Sequence, residues 1–340
     1  MKFVLFNLEV DTMGSVWRLQ TRTDSKDGKK VSKYYRDEAI AAVGWSINDD
    51  QIKAYNALAF DKIKSDRNDI KSKETYYKVL EEYNLFNIKP GKKIVAVETL
   101  ARIEKGDYIW MRDNGIYYLG YVGNNSKYEY NFSTEALEND SSNQITDINW
   151  KPIGDESQVP GAVATAFIRG RTIQRINKGY MFEYAEYAFW GKSLELETSN
   201  EDFLQQLFYD CLSPNDCEDL VCLYLYDRKG YVTIPSTNKI ATELYECVLV
   251  DPLNGKLAYP QVKKGNIELN SNDYIELIKE HPNKEVYLFT SEGKVQDNTH
   301  IENIYSISPD ELYSWVKEKI EGNSCLIPEG IVKWYKLILS

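Results

Sequence analysis

The sequence has few histidines, no paired-cysteine motif and no long apolar run. Only two histidines, His281 and His300, occur in 340 residues, which excludes most zinc-hydrolase, Ser-His-Asp and Cys-His schemes. The five cysteines form no C-x-x-C pair, so we interpret them as reduced and structural. No stretch approaches the roughly 20 apolar residues of a membrane span, and the opening residues lack the basic region of a signal peptide. The sequence therefore predicts a cytoplasmic protein.

Positive charge is also scarce. Lys and Arg number 41 against 52 Asp and Glu, a net charge of −11, so a polyanion is repelled unless basic residues gather on one face. One segment at 167–179 does gather them without an acidic residue, at Arg169, Arg171 and Arg175. A solvated helix face is one interpretation of this segment. The other is a connector between domains that contacts DNA phosphates.

The length and the residue patterns predict an α+β protein with two domains. Before residue 165 the pattern favours a curved β-sheet or barrel with two amphipathic helices between 50 and 84. Asp113-Asn114-Gly115 predicts a hairpin turn. The stretch at 92–103 is predicted to be β-structure, and the polar tract at 133–144 is predicted to be a loop.

From residue 200 the pattern alternates between helices and strands, which predicts an α/β domain with a mixed central sheet. Helices are expected at 201–212 and 216–227. The predicted organisation is a first domain at 1–165, a connector at 166–198 and a second domain at 199–340.

Residues 245–263, YECVLVDPLNGKLAYPQVK, form the most informative stretch. A turn at 251–255 predicts a hairpin that returns Gln261 and Lys263 to the neighbourhood of Glu246, with Gln261 and Lys263 on one face of their strand. A carboxylate, an amide and a lysine so placed can hold a divalent cation and orient a water for attack on a phosphodiester. The plain alternative is a cross-strand Glu-Lys pair of small energy.

The predicted helix DCEDL, the glutamate of YECVLV and the sequence Q-V-K follow one another along the chain. This order of motifs resembles the PD-(D/E)XK nuclease superfamily, and more closely its Mrr-like branch. The resemblance covers roughly 200–340 and implies a Mg²⁺-dependent endonuclease. It implies that Glu218 is the helix glutamate, Glu246 the strand carboxylate, and Gln261 and Lys263 the Q-x-K motif. The expected metal ligands are Glu246, Gln261 and the Val262 carbonyl. The second motif departs from the usual Asp.

Tryptophans on separate predicted strands suggest either a core or a base-stacking wall in the first domain. The order VWRL, VGWS, GDYIWMRDNGIYYLGYVG and INW resembles the PUA-like superfamily, specifically its EVE/YTH-type members. The resemblance covers roughly 10–165. It implies a cage for a modified base, with walls from Trp17, Trp45 and Trp110 and an edge contact from Ser46.

The two resemblances together imply a modification-dependent restriction endonuclease that acts on double-stranded DNA, in the manner of a defence enzyme. Cutting both strands implies a homodimer. Two alternatives remain open from the sequence: a nucleic-acid reader whose nuclease-like half is inactive, and a nuclease whose first domain senses a partner or another ligand.

Overall fold

The structure is a computed structural model that describes residues 14–21, 31–89, 91–168, 170–177, 180–192, 200–239, 245–279, 283–296 and 301–339. The prediction made for Arg169 lies outside these residues. The chain divides into two compact units, Met1–Val159 with Val163–Ser193, and Pro160–Ala162 with Leu194–Ser340. It is an α+β protein with several sheets, two of them mixed, as the sequence predicts.

The described strands of the first unit form two sheets. They are β1 (Val16–Leu19), β2 (Ala41–Val43), β3 (Tyr108–Asp113), β4 (Ile116–Val122), β5 (Tyr128–Tyr130), β6 (Asn143–Ile145), β7 (Ile148–Gly154) and β8 (Ile173–Arg175). One sheet has the order β7-β4-β3-β1-β8, in which β1 and β3 are parallel and the other pairs are antiparallel. The other sheet has the order β2-β6-β5.

Helices cover and connect these strands. They are α1 (Val31–Asp37), α2 (Asp49–Asn56), α3 (Phe60–Asn68), α4 (Lys73–Glu82), α5 (Val95–Leu100), α6 (Thr134–Glu138), α7 (Gly161–Ile168) and α8 (Met181–Trp190). Buried residues of β1–β4, β6 and β7 pack with the apolar faces of α2–α5 into one core. The predicted turn is present, because Asn114 and Gly115 both have positive φ, at 50° and 81°, as a two-residue hairpin turn requires.

Several segments of the first unit differ from their sequence predictions. The stretch at 50–84 contains three α-helices, α2 to α4, in place of two. The stretch at 92–103 contains helix α5 in place of a strand, since Val97 and Leu100 lie three residues apart and are both fully buried. Burial here outweighs the β-propensity of valine, which depends on context. The tract at 133–144 is not a loop. The Ser133 side chain accepts a hydrogen bond from the Ala136 amide at 3.2 Å, which caps α6, and β6 follows.

The basic segment at 167–179 is not a helix face either. Helix α7 ends at Ile168, and β8 then pairs antiparallel with β1, with Arg175 opposite Trp17. The β-branched Ile173 is buried in the core while Arg171 and Arg175 are exposed. The segment is a strand because residues 173–175 pair with β1.

The second unit has one five-stranded mixed sheet and a two-stranded one. Its described strands are β9 (Val232–Thr233), β10 (Leu249–Val250), β11 (Leu257–Lys263), β12 (Leu269–Asn270), β13 (Lys284–Thr290), β14 (Val295–Gln296) and β15 (Ile304–Ile307). The larger sheet has the order β15-β13-β11-β10-β9. Strands β11, β13 and β15 are parallel, whereas β9, β10 and β11 are antiparallel.

The helices of this unit are α9 (Glu201–Cys211), α10 (Pro214–Lys229), α11 (Ile275–Lys279), α12 (Pro309–Glu321) and α13 (Glu329–Leu339). Helix α10 has strong local signals. Ser213 and Asp216 form a reciprocal capping box with Pro214 in the first turn, and Gly230 ends the helix at φ 77°. Helix α10 packs on β11, which places Glu218 beside the predicted motif strand. None of the helices in the described parts of the chain is long and apolar enough to cross a membrane.

Candidate functional site

The hairpin of β10 and β11 positions the first group of predicted site residues. Leu249 lies opposite Ala258, and the Gly255 amide donates to the Asp251 carbonyl at 2.8 Å to close the turn. Regular pairing in β10 is limited to Leu249 and Val250. The Glu246 amide nevertheless donates to the Pro260 carbonyl at 3.0 Å, so Glu246 lies beside β11.

Glu246 and Lys263 form an ion pair across this hairpin. Lys263 Nζ lies 2.9 Å from Glu246 Oε1, and the two side chains are 34% and 23% exposed. Gln261, two residues before Lys263 on the same face of β11, is only 1% exposed. Its Oε1 is buried and has no hydrogen-bond partner among the described residues. A buried acceptor without a donor costs stability, so this oxygen is available to a cation.

Glu218 belongs to the same charged cluster. Burial and the nearby Glu246 carboxylate raise the pKa of Glu218 to about 7, against the opposing effect of Lys263. A half-buried carboxyl whose ionisation is disfavoured by burial and by a neighbouring carboxylate, beside a lysine, is typical of functional sites.

These residues fit a hard divalent cation in part. No three His, Cys, Asp or Glu side chains converge as a metal site among the residues that the structure describes. Mg²⁺, however, needs only one or two carboxylates and completes its shell with other oxygens and water. Glu246 and the unpartnered Gln261 Oε1 supply oxygen ligands, and a cation would also relieve the repulsion between Glu246 and Glu218. Val262 has a hydrocarbon side chain, so that residue can contribute only its backbone carbonyl.

A cavity of about 780 Å³ in the first unit contains two of the predicted base-binding residues, Trp45 and Ser46. Two further rings that the sequence analysis missed lie beside them. The ring centroids of Trp45 and Phe86 are 5.4 Å apart and nearly perpendicular, and those of Tyr55 and Phe86 are 5.5 Å apart. The three rings form an apolar wall, which we call the aromatic wall.

Trp45 is held in an uncommon backbone conformation. Its φ is 75°, a region that costs a bulky residue about 1–3 kcal/mol. Its carbonyl accepts hydrogen bonds from the Tyr76 hydroxyl at 2.8 Å and from Asn143 Nδ2 at 3.4 Å, which fix the peptide. The Trp45 side chain remains 42% exposed, so the strain presents an indole ring to the cavity.

The polar side of the cavity begins with Ser46. Its amide donates to Asp140 Oδ1 at 2.7 Å and its hydroxyl accepts from the Ser142 amide at 3.0 Å. Gly44, two residues before Ser46, gives the Asp140 carboxylate room to approach, because a Cβ there would lie 2.4 Å from Asp140 Oδ2. Arg67, another lining residue, is buried and donates to Asp49 Oδ1 at 3.0 Å.

The other predicted wall residues lie elsewhere in the unit. The Trp17 indole nitrogen donates to Asp107 Oδ2 at 2.7 Å in the interior. Trp110 is fully buried and stacks on Tyr184, with centroids 6.3 Å apart. The structure therefore does not bring Trp17 or Trp110 to the cavity. Both tryptophans are core residues.

The arginines predicted to contact DNA are exposed where the structure describes them. Arg171 lies two residues before β8, and Arg175 is the last residue of β8. The Arg171 carbonyl accepts a hydrogen bond from the buried Arg18 guanidinium, which anchors the backbone and leaves the Arg171 side chain in solvent.

Comparison with known proteins yields no relative. No protein-family model, curated protein or solved structure matches this chain. The chemistry of the two sites is therefore the basis for inferring a function.

Proposed function

We propose that the chain is a Mg²⁺-dependent endonuclease that cuts double-stranded DNA after its first unit has recognised a modified base. The nuclease part of this proposal rests on the Glu246–Lys263 ion pair, which lies beside the buried, unpartnered Gln261 oxygen. The mixed sheet with Gln261 and Lys263 on its central strand is compatible with the PD-(D/E)XK interpretation. The strand-rich first unit, with sheets of five and three described strands, is compatible with the PUA-like one.

The proposed roles follow from the chemistry of each side chain. Glu246, Gln261 Oε1 and the Val262 carbonyl would hold Mg²⁺, which supplies Lewis-acid charge to the phosphodiester. Lys263 orients the attacking water and balances negative charge in the transition state. Glu218, whose pKa is raised by burial to about 7, supports the metal site as a carboxylate above that pH.

The sensing half rests on the aromatic wall. An exposed indole beside a buried polar edge can stack a base that has left the duplex and contact its rim. The cavity, at about 780 Å³, falls within the usual range for small-ligand sites. Arg171 and Arg175 are the proposed phosphate contacts, and a homodimer would supply the two sites needed to cut both strands.

The test is cleavage of phage DNA with modified cytosine, modified adenine or plain bases, in Mg²⁺ and in EDTA. Wild type is compared with Lys263→Ala, and with Lys229→Ala as an exposed lysine control on α10. We expect cutting of modified DNA only, with a loss of roughly 100- to 1000-fold for Lys263→Ala and no loss for the control.

Each other result points to a different function. Metal-dependent cutting of all substrates would retain the nuclease and contradict the sensor. Binding of modified DNA without any cutting, read from tryptophan fluorescence, would favour a reader with an inactive nuclease-like half. Neither binding nor cutting would favour a different ligand or a partner protein for the first unit.

A further inference from the structure

Two free cysteines meet beside the acidic site. Cys222 Sγ and Cys247 Sγ are 3.6 Å apart, although 25 residues separate them in the chain. This distance is too long for a bond, and the thiols are reduced. A disulfide needs the sulfurs at about 2.05 Å, so closing this pair requires a movement of about 1.5 Å.

Both cysteines are tied to proposed active-site carboxylates. Cys222 follows Glu218 by four residues on α10, so the two side chains lie on one helix face. Cys247 follows Glu246 directly in the chain. The thiol contact therefore joins the helix that carries one carboxylate to the segment that carries the other.

We propose that Cys222 and Cys247 form a reversible disulfide that acts as a redox switch on this site. Cys222 is partly exposed whereas Cys247 is 5% exposed, which gives a small oxidant access to one sulfur and keeps the other as a resolving thiol. The effect on catalysis rests on the proposed nuclease function. The formation of the bond does not.

The oxidant is a peroxide, and the reaction is balanced with it. The Cys222 sulfur attacks one peroxide oxygen, the O–O bond breaks, and a sulfenic acid and one water form. The Cys247 sulfur then attacks the Cys222 sulfur and expels the hydroxyl group as a second water. Two thiols and one hydrogen peroxide give one disulfide and two waters. A dithiol reductant reverses the change.

Closing the bond changes the separation of the two carboxylates. Mg²⁺ requires nearly ideal octahedral geometry with short oxygen distances, and active-site groups tolerate displacements of about 0.5 Å. A sulfur movement larger than this tolerance, transmitted to the adjacent Glu246 and along one helix turn to Glu218, is expected to weaken metal binding and cleavage in the oxidised protein.

The first experiment is peptide mass mapping of the full chain after stoichiometric hydrogen peroxide, with alkylation of the remaining thiols. Cys222→Ser and Cys325→Ser serve as matched variants, because Cys325 is an exposed cysteine without the partner contact. We expect a Cys222–Cys247 cross-link in wild type and in Cys325→Ser, none in Cys222→Ser, and complete reversal by dithiothreitol. Alkylation of both Cys222 and Cys247 after peroxide treatment would overturn the proposal.

The second experiment measures Mn²⁺ binding by electron paramagnetic resonance and DNA cleavage in the same samples. We expect oxidised wild type to lose at least tenfold in both, and Cys222→Ser to lose neither on oxidation. A cross-link without change in metal binding would overturn the switch. If the reduced protein binds Mn²⁺ but cuts no DNA, the nuclease function is contradicted, while the redox control of metal binding is still decided by the Mn²⁺ data.

Discussion

The acidic site of the second unit takes its side chains from one hairpin and one helix, whereas the aromatic wall of the first unit takes Trp45, Tyr55 and Phe86 from three separate segments. Each site carries a different energetic cost. The acidic site holds an unpartnered buried oxygen at Gln261 and a carboxyl at Glu218 whose pKa is raised by burial. The aromatic wall holds Trp45 at positive φ. Backbone strain and unpaired buried polar groups lower the stability of a protein. They persist where the surrounding structure holds them in place, and they are concentrated at functional sites.

The largest effect is expected from a comparison of Trp110, which lies in the core, with Trp45, which lines the cavity. Trp110→Ala removes a fully buried ring and should destabilise the first unit by about 3–5 kcal/mol. Trp45→Ala, at a ring 42% exposed, should cost about 1 kcal/mol or less. Urea unfolding monitored by circular dichroism measures both. Equal losses would mean that Trp45 is also a core residue.

The second test asks whether the Gln261 oxygen serves function or stability. Gln261→Leu retains a similar volume, removes the unpartnered acceptor, and should leave unfolding within about 1 kcal/mol of wild type. Mg²⁺-dependent cleavage should fall by roughly 100-fold. Gln296→Leu, at an exposed glutamine, is the control. Full activity of Gln261→Leu across a Mg²⁺ titration would remove Gln261 from the proposed metal ligands.

The third test concerns the aromatic wall. Trp45→Ala should weaken binding of modified DNA by about 10- to 100-fold, since stacking of one base on an aromatic side chain contributes about 1–3 kcal/mol. Binding is measured by fluorescence anisotropy of labelled oligonucleotides, with Phe203→Ala, an exposed aromatic of the second unit, as the control. An equal loss on modified and plain DNA would indicate general contact and no base sensing.

The smallest effect is expected from the charge of Glu218. Its folded pKa is raised by burial from 4.5 to about 7, so its contribution to stability is present below pH 4.5 and is lost as the pH rises through 7. Glu218→Gln should therefore match wild type near pH 4.5 and melt a few degrees higher at pH 8, an effect limited by solvent screening. Thermal scans of this variant and of Glu276→Gln, an exposed control, decide it. A difference that is independent of pH would exclude the charge as its cause.

Sequence patterns anticipated the local parts of this architecture. The turn at 251–255 was sufficient to predict that Glu246 and Lys263 are neighbours, and the helix predicted at 216–227 placed Glu218 near the beginning of a helix. The hairpin at Asn114-Gly115 followed from the same turn chemistry. In each case the determining interactions span fewer than about twenty residues, so the spacing itself carries the information.

Non-local features escaped prediction for a physical reason. Tyr55 and Phe86 join Trp45 only after the helices of the first unit have packed, and no spacing records that packing. The same holds for the contact of Cys222 with Cys247 across 25 residues. Trp17 and Trp110 could not be assigned to core or cavity because the residue type favours both, and the stretch at 92–103 became α5 because tertiary burial overrode local propensity.

The position of β11 in its sheet also has a consequence for synthesis of the protein. This strand, which bears Gln261 and Lys263, is paired with β10 on one side and in parallel with β13 on the other, and β13 in turn pairs with β15 up to Ile307. Parallel pairing joins distant segments and forms slowly. We therefore expect that a growing chain gains the complete acidic site only after β15 has left the ribosome. Under the proposed nuclease function, an unfinished chain would then not cut DNA.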